Sequence, residues 1–234
     1  MNNKSKIIPE FTSSMSRGEY IKTLVWLPIH VALLPFLAGM LIAWGYIDES
    51  EANFGIYAVG MVYMLAFMGK YLRREYDPFC DRPMYCISEI CGCYLTMWVI
   101  NIALNSLMFL LLKEENPNNM AIADMAGTNF GMVSAMAICL APVVEEIIFR
   151  GAIFTLGRKK SRIMGYALSM VLFSVYHVWG YAVENPVYLL FLLQYLPVSF
   201  LLCRCYERTN SLWSCIFFHM VVNGMSMYAM EAMM

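Results

Sequence analysis

Charge is scarce in this chain: Asp, Glu, Lys and Arg make up 14% of its 234 residues, and only three residues are histidine. Soluble domains carry about a quarter of their residues as charges, so a soluble globular class is excluded. The net charge of −1 offers no basic surface, and no nucleic-acid partner is expected. Internal repeats and low-complexity tracts are lacking, which removes the pattern of an inverted-repeat transporter. A cleavable signal peptide is not expected either, because a polar stretch of roughly twenty residues precedes the first apolar run. The eight cysteines match no zinc-ligand spacing, and the H-E-x-x-H signature is absent. Cys80, Cys86, Cys91, Cys93, Cys203 and Cys205 fall at span ends expected to face the cytosol, where thiols stay reduced, so they imply no disulfide framework. Cys203 and Cys205 are candidates for S-acylation.

Apolar residues supply 60% of the chain. They form seven uncharged stretches of transmembrane length or nearly so, at 24–46, 53–69, 90–112, 125–144, 163–183, 185–203 and 209–230. The expected fold is an all-α polytopic membrane protein of about seven transmembrane helices, the fourth continuing through a charged cluster to Gly157. Of the sixteen Lys and Arg, all but Lys113 and Arg150 occupy the N-terminal tail or every second loop, while the intervening loops carry acids. The positive-inside rule then predicts a cytoplasmic N-terminus. The chain divides into a cytoplasmic polar tail (1–23), accessory transmembrane helices read as scaffold (24–127) and a catalytic transmembrane core from the last four helices (128–234). His30, in the first span, reads as a helix-packing group. The expected location is a cell membrane, multi-pass and of prokaryotic type.

The costliest residues to place are Glu145, Glu146 and Arg150, three ionisable groups within six positions of an apolar run. Each costs a few kcal/mol at bilayer depth, so the cluster reads as a functional site. Two further polar groups stand on later spans: His177, one turn after Phe173, and His219, one turn before Asn223. Each i, i+4 pair shares a helix face. Glu146 and Arg150 are also four apart and can neutralise each other, which leaves Glu145, about 100° around the helix, free for chemistry. Counting ~1.5 Å per residue from the nearest basic residue places Glu145, His177, His219 and Asn223 in one layer at ~17–23 Å. A shared layer implies a wetted cavity, since isolated polar groups are not tolerated in lipid. There a carboxylate and an imidazole can deprotonate a water, and a second imidazole with a carboxamide can donate to a developing oxyanion. Those parts suit amide hydrolysis.

The stretch from Ala141 to Gly151 contains E-E-x-x-x-R, Phe173 to His177 reads F-x-x-x-H, and His219 to Asn223 reads H-x-x-x-N. In motif and order, residues 128–230 resemble the CPBP family of intramembrane proteases, which joins CAAX-processing endopeptidases to bacteriocin-processing and immunity-associated proteins. The resemblance implies that Glu145 and His177 activate water and that His219 and Asn223 form the oxyanion site. It also implies that Glu146 and Arg150, with Phe173 beside them, organise the cavity or hold substrate. The family has been described both as metal-dependent and as glutamate-type. The metal-free mechanism is favoured here, with no cofactor; if a metal takes part, zinc held by Glu145, His177 and His219 is the expectation.

The function expected is an endopeptidase that cuts a membrane-anchored or lipidated peptide near the cytoplasmic leaflet, such as a CAAX-type C-terminus or a bacteriocin or signalling-peptide precursor. Two other classes use the same residues. A non-catalytic immunity or scaffold protein retains its effect without Glu145 and His177, and a proton-coupled transporter moves substrate across vesicles. The sequence names neither substrate nor oligomeric state.

Overall fold

The computed structural model describes residues 10–233. The tail assigned to 1–23 lies partly outside that range, including Lys4 and Lys6. Among the described residues the chain is helical apart from the lead-in at 10–16 and the short connections between helices. We number its long helices α1 (Arg17–Ala43), α2 (Glu49–Asp81), α3 (Pro83–Leu112), α4 (Pro117–Arg158), α5 (Arg162–Glu184), α6 (Pro186–Thr209) and α7 (Leu212–Glu231). The first six are long and apolar enough to cross a membrane. The last, at 20 residues, is somewhat shorter and falls short in hydropathy, because His219 and Asn223 lie inside it. The protein is thus an all-α, multi-pass membrane protein with six spans that qualify on composition and a seventh, more polar helix packed among them.

Several boundaries differ from those expected. The first helix begins at Arg17, with Ser16 and Glu19 forming a reciprocal cap, so it takes in the last part of the polar tail. Residues just before it pack against the bundle: the Phe11 ring meets Phe154 and Tyr206 edge-on at 5.5 and 5.0 Å. The fourth helix starts at Pro117, not near residue 125, with Asn116 capping its first turn. It breaks at Asn129 (φ −148°, ψ 79°), whose side chain accepts the Met132 amide and caps a fresh start. Cys203 and Cys205 are buried, which closes them to the acylation considered above.

Helix α4 is the centre of the bundle. Two-thirds of its apolar window is buried, against a third or less for every other span, and Ala141–Phe154 is buried without interruption. The remaining helices surround it with broad apolar faces outward, as expected where the solvent is lipid.

Proline shapes the helices at two matching points. In α1 the Leu34 amide bonds back to Ile29, five residues earlier, and Pro35 follows with no N–H to offer. In α4 the Ala141 amide bonds back to Met136 in the same way, and Pro142 follows. Each is a π-helical turn that leaves one carbonyl, of His30 or of Ala137, without its intrahelical partner.

Close backbone approach fixes the turn between α4 and α5. A Cβ on Gly157 would stand 2.7 Å from Gly165 Cα and 2.9 Å from its amide nitrogen, distances no side chain can occupy. Gly157→Ala is therefore expected to force the helices apart and to cost about 1–3 kcal/mol. Unfolding of purified protein in micelles measures this, and an unchanged midpoint would contradict the crossing geometry.

Candidate active site

Glu146 and Arg150 sit one turn apart on α4 and are wholly buried. The Arg150 guanidinium donates to Glu146 Oε1 at 2.9 Å and to Ser199 Oγ of α6 at 2.9 Å, and its charge lies 4.2 Å from the centre of the Phe173 ring on α5. Ion pair, hydroxyl and aromatic face together replace the hydration that lipid cannot give. The same Glu146 oxygen takes a hydrogen bond from His219 Nδ1 of α7 at 2.8 Å. Because that oxygen already accepts from Arg150, it accepts from Nδ1 as well, so Nδ1 carries the hydrogen and His219 turns its Nε2 toward Glu145.

Glu145 points to the other side of α4. Its Oε1 accepts the Tyr57 hydroxyl at 2.7 Å, whereas Oε2 is buried and has no hydrogen-bond partner. That oxygen lies 3.8 Å from His177 Nε2 and 3.9 Å from His219 Nε2. His177 is held from its far side, Nδ1 donating to the Phe173 carbonyl at 2.9 Å, and its ring stacks on Tyr195 of α6 at 4.6 Å between centroids. Phe173 packs on the opposite flank, 4.4 Å from the His177 ring. Both imidazoles are thus anchored through Nδ1 and converge through Nε2 on one carboxylate oxygen. His177, with 15% of its side chain exposed against 4% for Glu145, forms the accessible edge of the group.

The structure therefore gathers Glu145, Glu146, Arg150, Phe173, His177 and His219 from three helices. Asn223 has a backbone partner that the sequence did not indicate. Its amide donates at 2.8 Å to the Ala137 carbonyl. That is the carbonyl orphaned by the π turn, since Ala141 bonds to Met136 and Pro142 has no hydrogen. One of its two amide hydrogens thus completes the backbone of α4 two turns before Glu145, and the other remains for a ligand.

Four contributors were not singled out in the sequence: Tyr57, Tyr176, Tyr195 and Ser199. Three are tyrosines in uncharged spans, and Ser199 is one hydroxyl among many; only the adjacency of Tyr176 to His177 gave a hint. His30, read as a packing residue, also joins the site through Tyr176 at 3.2 Å.

The donors do not suit a tightly held metal. Among the described residues no three His, Cys, Asp or Glu side chains converge as a metal site. Neighbouring ligands of a tetrahedral zinc lie about 3.3 Å apart, closer than the Glu145–imidazole separations.

Residues 127–225 match the family model described as type II CAAX prenyl endopeptidase Rce1-like. The matched segment, less than half of the chain, holds all three motifs and is similar to that family over those residues. A Bacillus subtilis (strain 168) protein, the candidate membrane peptidase YdiL, is 31% identical over 113 residues. The alignment covers 48% of this chain and 42% of that relative. No solved structure matches the chain.

The Glu146–Arg150 pair yields a stability test. Arg150→Met alone strands Glu146 in the bundle and is expected to cost about 3–5 kcal/mol, whereas adding Glu146→Gln should recover much of the loss. Unfolding of the wild type and both variants in micelles checks this; equal stability of the two variants would show that the pair is not desolvated.

Proposed function

We propose that this protein is an intramembrane endopeptidase of CAAX type, hydrolysing a peptide bond of a lipidated or membrane-anchored substrate close to the cytoplasmic leaflet. The observation that carries the proposal is the unpartnered Glu145 Oε2, buried within 4 Å of two imidazole nitrogens. A substrate water seated against these three groups is held and polarised by all of them.

In this mechanism Glu145, assisted by His177, takes a proton from the water as its oxygen attacks the carbonyl carbon. The C–O bond forms and the carbonyl oxygen becomes an oxyanion. His219, protonated at both nitrogens, and the free amide hydrogen of Asn223 donate to that oxygen. Glu146, which already accepts from Nδ1, compensates the charge of the imidazolium. Collapse of the intermediate breaks the C–N bond, and the proton held by Glu145 passes to the leaving nitrogen. One water is consumed, the proton left on the new carboxylic acid passes to the amine, the products leave as carboxylate and ammonium, and Glu145 returns to its starting state. Two carboxylates and one guanidinium lie in the cluster, so one further proton makes it neutral. A neutral cluster is the arrangement a lipid-embedded site favours.

Arg150 and Glu146 act in this scheme by orienting His219, and Phe173 by holding His177 and Arg150 apart. The apolar side chains packed around the cluster favour an apolar peptide flank, which agrees with a lipidated C-terminus better than with a soluble peptide.

Glu145→Gln keeps the shape of the side chain and removes its basicity, so it should abolish cleavage while leaving the folded protein intact. Comparing membrane proteomes of wild type and this variant is the measurement, and uncut precursors that accumulate only in the variant identify the substrate. Full processing by the variant would end the assignment. Wild-type activity is expected to survive a chelator; loss on chelation with recovery on added zinc would replace the metal-free scheme.

A further inference from the structure

Behind Glu145 runs a line of hydrogen bonds that none of the three motifs contains. Glu145 Oε1 receives the Tyr57 hydroxyl at 2.7 Å, Tyr57 and Tyr176 hydroxyls meet at 2.8 Å, and Tyr176 reaches His30 Nε2 at 3.2 Å. The four groups come from α4, α2, α5 and α1. They therefore tie the first two helices of the chain to the carboxylate on the fourth.

Proton counting gives the line a direction. A carboxylate oxygen only accepts, so the single hydrogen of Tyr57 points to Glu145. The Tyr57 oxygen is left to accept from Tyr176, which spends its own hydrogen there. The Tyr176 oxygen can then accept only from His30, which fixes His30 as the Nε2–H tautomer with a bare Nδ1. His30 Nδ1 itself is buried with no hydrogen-bond partner, so the tautomer is set from the Nε2 side alone. The ring is clamped by aromatic neighbours, Trp26 stacked at 6.0 Å, Tyr57 edge-on at 5.2 Å and Tyr176 stacked at 6.2 Å. The π turn at Ile29–Leu33 carries it, and such turns recur at functional sites.

We infer that His30, Tyr176 and Tyr57 form a unidirectional donor chain that positions Glu145. The inference deepens the proposed peptidase reading and rests on it. By fixing Oε1, the chain prevents the carboxylate from swinging onto the imidazoles and keeps Oε2 aimed between them at water distance. All three are positioning residues, because none touches the reacting atoms. Gly60 of α2 gives the chain its short first link. A Cβ there would stand 3.1 Å from Val144, the neighbour of Glu145, so glycine lets α2 lie close enough for Tyr57 to reach across.

Two measurements test this, one independent of proteolysis. The chain has three histidines, so imidazole 15N resonances of the whole protein in micelles are assignable with His30→Gln as the blank. The wild type should show His30 as the Nε2–H tautomer, and Tyr176→Phe should redistribute it toward Nδ1–H. A wild-type His30 protonated at Nδ1, or one indifferent to Tyr176→Phe, overturns the chain. The second measurement is cleavage of a quenched, S-farnesylated C-a-a-X peptide in micelles or, if that is not cut, of the precursor accumulating in Glu145→Gln membranes. Tyr57→Phe should lower kcat about tenfold to a hundredfold with KM nearly unchanged. His30→Leu should lower kcat less, and His30→Gln, which restores a donor, should recover part of that loss. The double variant Tyr57→Phe with His30→Leu should be no slower than Tyr57→Phe alone, because a broken first link makes the third irrelevant. Additive losses, or an unchanged kcat in Tyr57→Phe, overturn the inference. If Glu145→Gln remains active, it is the peptidase reading that fails, and the histidine resonances still decide whether the chain exists.

Discussion

A guanidinium with no exposed surface must find its compensating interactions inside the protein, and Arg150 finds them on three helices for all but its Nε, which has no hydrogen-bond partner. Glu146 supplies the charge, Ser199 an acceptor and Phe173 an aromatic face. Once these partners are fixed, α4, α5 and α6 have little freedom to rotate about their axes. His219 then joins through the remaining capacity of the same Glu146 oxygen, which adds α7. The buried pair is a poor source of stability by itself, since desolvation offsets most of its Coulomb attraction. Its value lies in setting the relative orientation of four helices that lipid-facing surfaces would otherwise leave loosely specified.

On that framework the two adjacent carboxylates divide their roles through helix geometry alone. Successive side chains differ by about 100°, so Glu146 facing Arg150 requires Glu145 to face away. Glu145 meets a phenol on one oxygen and two imidazoles on the other. Neither imidazole is free to choose its tautomer, because a backbone carbonyl holds one and a carboxylate the other. This is preorganisation in the sense that matters for catalysis: the dipoles are in place before a substrate arrives and need no rearrangement as charge develops.

The two proline-linked π turns add a second layer of organisation. Each widens a helix where a polar group has to be presented, His30 in α1 and the Ala137 carbonyl in α4. The carbonyl freed in α4 is met by Asn223, so the resemblance-based reading of that residue as an oxyanion donor gains a backbone role beside it. The helices expected to be scaffold are likewise part of the site, since Tyr57 and His30 support Glu145 from outside the segment matched by the family model.

The sequence by itself determined what depends on one helix at a time. Apolar run lengths gave the spans, 3.6-residue periodicity gave the Glu146–Arg150 pair and the His219–Asn223 face, and the cost of charge in lipid singled out the cluster. What crosses between helices was decided only by tertiary structure. Tyr57, Tyr176 and Ser199 lie in spans whose buried and outward faces are equally apolar, and when lipid is the solvent no polar face marks which side turns inward. The redirection of Asn223 was hidden for a related reason. It answers a carbonyl freed within α4 by the π turn and Pro142, and only the packing of α7 against α4 brings Asn223 to it.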